Sequence, residues 1–450
     1  MRTCLSLAVA AAVLAAPLSA GAFYQASGEN HALDAGGSIR TIAGGLRNFD
    51  NPLLFGEDNR VDGISDTILR LTADGDVGQT GGYEIHLVQD LLFYTAQGGA
   101  GASTSLGIAG TTARYRALDL SWTWLEEDDA EATLYLDRLN GGASRGKTDI
   151  TLGRQAINFS QAWFWNPLDI FLPFDPEAFD RSYKPGVDAV RADVSLGMFS
   201  AVTFVYAAGN RLETRPTKDG LRVTAVDFSE EPWYGSALLA RLQTNVNHWD
   251  LTLQGGKVYG GIQAGTGFSG EIGPVGLRGE ATWLFASGDG STLLPDPQTG
   301  SVRKVELIED HGKLVVGADH RFDGSLYLNA EYFYNGAGEE DDPALALARV
   351  AVGETTNLGE HYGAFLASYE LHPILTGQLS LIHSFTDGSD LLSPVFSWSV
   401  ADEAECIFGA ILGLGDRPAT RQTAEGSFLE LQSEFGTYPD FAFLELIFYF

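Results

Sequence analysis

Cysteine is nearly missing from this chain: 450 residues contain two, Cys4 and Cys406. With Cys4 in a leader segment, no internal disulfide framework can form, and no c-type haem attachment spacing exists. Methionine is equally scarce, at two residues. No segment after the leader approaches the ~20 consecutive apolar residues that a spanning helix needs. Basic charge is short as well, with 28 Lys and Arg against 59 Asp and Glu. That balance excludes the basic footprint of a nucleic-acid binder. Catalytic signatures are also missing: no G-x-S-x-G, H-E-x-x-H or P-loop occurs. The eight histidines are scattered, and His86, His320 and His383 fall within strand patterns. Gly265 to Gly270 fits G-x-G-x-x-G, but no helix pattern follows it, so a dinucleotide role is weakly supported. The chain is read as a non-enzyme with no cofactor and no metal.

What is present begins with an export leader. Arg2 supplies a positive start, Leu5 to Leu18 is apolar, and Ala20-Gly21-Ala22 fits a signal-peptidase site. Residues 1–22 are therefore expected to be a cleaved signal peptide, with the mature chain starting at Phe23. Cys4 lies ahead of the apolar run, which argues against a lipoprotein signal. Residues 23–35 read as a short periplasmic N-terminal segment, and 36–450 as a single domain.

From about residue 36 the sequence alternates apolar and polar residues in segments of roughly ten, the pattern of membrane strands. Leu118, Leu120, Trp122 and Trp124 share a face, opposite Asp119, Ser121 and Thr123. Val190, Ala192, Val194 and Leu196 alternate with Arg191, Asp193 and Ser195. Alternation alone fits a soluble sandwich or a membrane barrel. Three features favour the barrel. Aromatics sit near strand ends (Trp122, Trp124, Trp163, Trp165, Trp249, Tyr332, Tyr334, Trp398, Tyr449), as interfacial girdles require. Tight turns alternate with long connections near 209–234, 288–311, 336–360 and 415–438. The polar faces also carry more charge than a dry core could hold unpaired. Nineteen segments are legible, and bacterial barrels have even strand counts, so one is spurious, with the region before residue 130 the place to look. The fold class is an all-β, transmembrane, antiparallel up-and-down barrel of about 18 strands, within a range of about 16 to 20.

The last strand, Phe441 to Phe450, places Ala442, Leu444, Leu446, Phe448 and Phe450 on one face, expected to meet lipid. Glu445 faces the other way, which predicts that this side is wet. The terminal Phe448 and Phe450 fit the signal read by the outer-membrane assembly machinery.

One stretch interrupts the alternation. Residues 158–186 carry prolines at 167, 173, 176 and 185, so they cannot form a paired central strand. They are also too apolar to lie free in water. Folding into the lumen satisfies both constraints, with charged ends narrowing the pore. The pore-lining candidates are Arg154, Gln155, Asp169, Asp180, Arg181, Lys184, Asp188 and Arg191. Asp74-Gly75-Asp76 and Glu339 to Asp342 are acidic stretches that read as solvated loops.

Gly153-Arg154-Gln155-Ala156-Ile157, the N-P-x-D-x-x-x-P-F run from Asn166 and Asp180-Arg181-Ser182-Tyr183-Lys184-Pro185-Gly186-Val187-Asp188 form a constellation. With Glu331 to Gly338, Gly359 to Tyr362 and Ser433 to Gly436, it resembles uncharacterised porin-like outer-membrane barrels of proteobacteria. The resemblance covers roughly residues 113–450 and implies a single barrel with no settled substrate. Some relatives are thought to sheathe multihaem cytochromes; without a haem motif, this chain could only be the sheath. The expected function is a passive channel for small solutes or ions with a weak cation preference. The alternatives are a scaffold around a periplasmic or barrel-inserted partner protein, and a fatty-acid-type transporter of hydrophobic solutes. Expected surroundings are outer-membrane lipid, lipopolysaccharide and the assembly machinery.

Overall fold

The computed structural model describes residues 24–450 apart from 29, 57–59, 96–113, 179–180, 218–219, 226–231, 289, 296–301 and 424–425. Twenty strands share one antiparallel sheet, and all but two of them form a closed ring. The first quarter of the ring contains His31–Arg47, Val61–Val77, Gly81–Tyr94 and Ala130–Arg145. The wall continues with Thr148–Gln155, Val187–Ser195, Ser200–Ala207, Ala237–Val246 and Trp249–Val258. Then come Gly261–Ile272, Val275–Ala286, His311–Arg321, Tyr327–Asn335 and His361–His372. Leu375–Ser384, Asp390–Ala401, Ala404–Leu414 and Asp440–Tyr449 complete it. The last strand pairs with the first, from Ser38 opposite Tyr449 to Arg47 opposite Asp440. Phe450 extends this seam: its N–H donates to Gly37 O at 3.0 Å, and Gly37 N donates to its carbonyl at 2.8 Å. Closure removes the unpaired edges that a bilayer would penalise.

The spurious nineteenth segment is the one near 113–125. Ser121–Glu127 pairs with Ala130–Arg145 alone, along the upper part of that strand, where Glu127 lies opposite Ala130. Thr148–Gln155 takes the lower part of the same edge, from Arg145 to Leu139. Two half-length strands thus stand end to end in one wall position. Their junction is bound by Arg154. It pairs with Asp188 and donates to Leu136 O at 3.1 Å and Leu118 O at 2.6 Å. The first wall strand begins at His31, earlier than expected, and Tyr24–Gly28 pairs with its start. The long connections carry hairpins at Leu212–Thr217/Gly220–Ala225, Ser291–Pro295/Val302–Glu306 and Ala419–Thr423/Gly426–Glu430. A helix, Pro343–Ala351, lies in another, its first turn capped by Asp342.

The outward face is apolar, as lipid requires: Ile150, Leu152, Leu253, Ile262, Trp283, Phe285 and Leu444 are all exposed. The inward face differs from the wet lumen expected from sequence. Toward the extracellular end it is apolar and packed, in two clusters. One joins Ile42, Leu46, Val315, Phe333, Tyr362, Leu391, Phe441, Phe443 and Ile447 to Phe164, Trp165 and Phe435. The other joins Val205, Leu239, Val258 and Leu284 to Ile157, Phe159, Phe171 and Leu172. Glu445 is therefore not bathed in water. It is fully buried between these apolar neighbours and pairs with Arg40, so an opposite charge offsets its desolvation. Trp163 and Trp165 likewise belong to the interior and not to a girdle; Trp165 is stacked on Phe333 with centroids 5.1 Å apart.

Candidate functional site

Segment 156–186 leaves the wall after Gln155, two residues beyond Gly153, which is still paired with Asn140 and Ala189. At φ +118° this glycine takes a conformation L side chains avoid, and a Cβ there would sit 2.2 Å from Leu139 O. Gln155 then satisfies the irregular backbone, its Nε2 donating to Ala189 O at 3.2 Å. From this point the chain crosses the interior and reaches strands on the far side of the ring. Four prolines deprive it of N–H groups for a ladder, so side chains of the wall take over that role.

Two carboxylates dominate. Glu280 is 1 % exposed and accepts from Gln161 N at 3.0 Å and Leu168 N at 2.9 Å, one on each oxygen. Glu331 is 5 % exposed and accepts from Trp163 N at 2.6 Å and Phe164 N at 2.8 Å, again through both oxygens. Gln254 Nε2 donates to Leu168 O at 2.8 Å, Gln161 Nε2 to Thr252 Oγ1 at 2.8 Å, and Trp165 Nε1 to Asn357 Oδ1 at 2.8 Å. Leu168 is wholly buried beside Gly265 and Gly267; a Cβ on either would approach its methyl groups to 2.6 and 2.9 Å. The G-x-G of the strand Gly261–Ile272 therefore makes room for this leucine.

The returning leg is tied to the opposite wall. Tyr183 lies under the Arg70 guanidinium, 3.3 Å from its ring centroid, with Arg138 at 4.8 Å. Its hydroxyl meets His86 Nδ1 at 3.0 Å, and His86 Nε2 meets Asp74 at 3.0 Å.

The residues predicted from sequence take different roles. Asp169 and Lys184 pair with each other, both buried, and Ser160 donates to Asp169 at 2.7 Å. Arg181 donates to the carbonyls of Trp163, Asp175, Pro176 and Ala178, stapling the segment to itself. Arg154, Gln155 and Asp188 are buried at the wall junction, where Arg154 pairs with Asp188 and Gln155 donates to Ala189 O. Arg191 faces inward half-exposed and pairs with Asp193. Asp180 lies outside the described residues. Of the acidic stretches, Asp74 is engaged by His86, and Asp342 accepts from Leu345 N and pairs with Arg303. Glu280 and Glu331 were missed, although strand parity places both on the inward face.

Below the crossing segment the inward face is polar and open. Exposed carboxylates point into this mouth from seven strands: Asp34, Asp76, Glu84, Asp149, Asp250, Glu271 and Glu370. Arg191 and Arg278 face the same space, each paired with an aspartate (Asp193 and Asp319), together with exposed Arg321. Above the segment a small cavity of about 100 Å³ remains, walled by Tyr115, Phe164, Trp165, Phe174 and Tyr259 with Arg114, Lys313 and Glu354. Glu354 is held well below the usual carboxylate range: burial opposes its ionisation, but Arg114, His311 and Lys313 outweigh it.

No protein-family model and no curated protein sequence matches the chain. Its backbone is similar to Pseudomonas aeruginosa OccK11 (OpdR), with TM-score 0.50 and 11% identity over 93% of this chain and 95% of that one. Acinetobacter baumannii OccAB4 follows at TM-score 0.49 and 9% identity, over 92% of this chain and 97% of that one. The fold is that of a porin-like outer-membrane barrel. At such identities the likeness extends to the fold alone.

Proposed function

We propose that this barrel is an outer-membrane channel for small solutes or ions, with a weak cation preference, narrowed by segment 156–186. The observation that carries this reading is the segment itself. It spans the lumen on side-chain hydrogen bonds and not on a backbone ladder, so it can move without unpairing the wall. The ring of exposed carboxylates below it supports cation preference, because like-signed groups lining a low-dielectric mouth raise the local concentration of counter-ions. Export through a cleaved signal at 1–22, a single barrel domain and use of Phe450 by the assembly machinery belong to the same reading.

Reconstitution in planar bilayers tests it. A tenfold KCl gradient is expected to give a reversal potential of the sign for cation permeation, reduced when Glu84 and Asp149 are changed to Gln and Asn. A potential of the opposite sign would sink the cation reading.

A second reading is favoured by one observation. The two apolar clusters give the extracellular half the lining of a hydrophobic-solute transporter. Uptake of an apolar dye by liposomes carrying the barrel, without ion current, would favour it. The sheath reading needs a lumen free for a partner, and here the segment and both clusters occupy that space.

A further inference from the structure

Segment 156–186 meets the extracellular connections at an acidic contact. Around its turn at Pro176, Asp175 and Glu177 lie beside residues 434–438. Glu177 Oε1 accepts from the Tyr438 hydroxyl at 2.9 Å, while Oε2 is buried with no hydrogen-bond partner among the described residues. Arg181 is the cation facing this pair, yet its guanidinium is committed to four carbonyls of the segment. On the other side, Glu434 accepts from the Tyr362 hydroxyl and from Asn357 Nδ2, the latter at 2.9 Å. Its backbone N–H donates to Asp387 Oδ2 at 2.7 Å. Arg417 donates to Gly436 O and Tyr438 O, at 3.1 and 2.6 Å, and faces Asp440. The contact therefore gathers Asp175, Glu177, Glu434 and Asp387, and both nearby guanidiniums are spent on backbone carbonyls.

We propose that proton occupancy of Asp175 and Glu177 governs docking of the inner segment under the extracellular connections, keeping the barrel shut in acid and releasing it toward neutral pH. This rests on the channel reading above. Burial pushes Asp175 up to about 7, with Glu177 adding to the rise and Arg181 opposing it. Glu177 is raised too, by burial, against its bond from Tyr438 and the charge of Arg181. Burial likewise brings Glu434 to about 7 despite the bonds from Tyr362 and Asn357. A released segment has ordinary carboxyls titrating near ~4, so the docked form holds protons that the free form gives up. Docking is strongest below ~4, weakens as pH rises, and has lost this contribution above about 7. Each such carboxyl shifts the docking equilibrium by up to about tenfold per pH unit inside that window.

The test uses the purified full chain in lipid, with wild type, Asp175→Asn, Glu177→Gln and the double variant. Hydrogen exchange of the peptide covering 160–178, corrected for intrinsic rates, and bilayer current are read from about pH 4.5 to about 7.5. Wild-type protection is expected to fall at least tenfold over that range while current rises. The double variant should stay protected throughout, and each single variant should flatten part of the slope. A pH-independent wild type, or carboxamide variants that keep the full slope, would overturn the proposal. Should protection change with pH while no current flows at any pH, the latch stands and the channel reading fails.

Discussion

At the scale of single residues, the inner segment depends on a few wall carboxylates. Glu331 satisfies two consecutive backbone N–H groups, Trp163 and Phe164, in a site closed to water. Each buried donor left without a partner costs about 1–3 kcal/mol, so Glu331→Ala should loosen docking by roughly 2–4 kcal/mol. Glu331→Gln keeps one acceptor oxygen and should lose less. Raised single-channel conductance, with heat-modifiable migration on gels unchanged, is the expected outcome; unaltered conductance in Glu331→Ala would refute this role. Neither Glu280 nor Glu331 was legible as an anchor from sequence, since an inward carboxylate on an alternating strand looks the same whether water or a backbone amide meets it. A signal was there in Gly265 and Gly267. Paired inward glycines mark a place where something must approach closely, and Leu168 is what approaches.

At the scale of elements, the wall strands were readable because period-two alternation survives wherever one face meets lipid. What alternation could not reveal was that Ser121–Glu127 and Thr148–Gln155 share one wall position, because each half carries the pattern of a whole strand. Segment 156–186 announced itself through its prolines, yet its charges misled. Asp169, Arg181 and Lys184 are spent on internal bonds, because a chain crossing an apolar interior must neutralise its own polar groups. The final strand allows a sharper expectation. Deleting Phe450 removes both backbone bonds to Gly37 at the closing seam. Membrane insertion, measured as the heat-modifiable fraction, should drop more than total expression does, and equal losses of both would count against a seam role.

At the scale of the whole molecule, the barrel is a polar cup at one end and a packed core at the other. A lone inward Glu445 predicts water inside, whereas the apolar inward residues Phe441, Phe443 and Ile447 on the same strand predict packing, and packing prevails. Length and alternation specify the ring, whereas its filling depends on contacts between strands far apart in sequence. Replacing 160–178 by a Gly/Ser linker of equal length should leave an 18-strand ring with a several-fold larger conductance. Unchanged conductance would mean that the apolar clusters alone close the lumen.

The shared wall position also settles which way the chain must turn. In the folded wall Ser121–Glu127 fills the slot above Gln155, on the same edge of Ala130–Arg145. Steric exclusion leaves the residues after Gln155 no route up the wall, so their inward course follows from the occupied edge as much as from their own composition. In a barrel built this way the obstruction is a consequence of how the wall closes, independent of any solute.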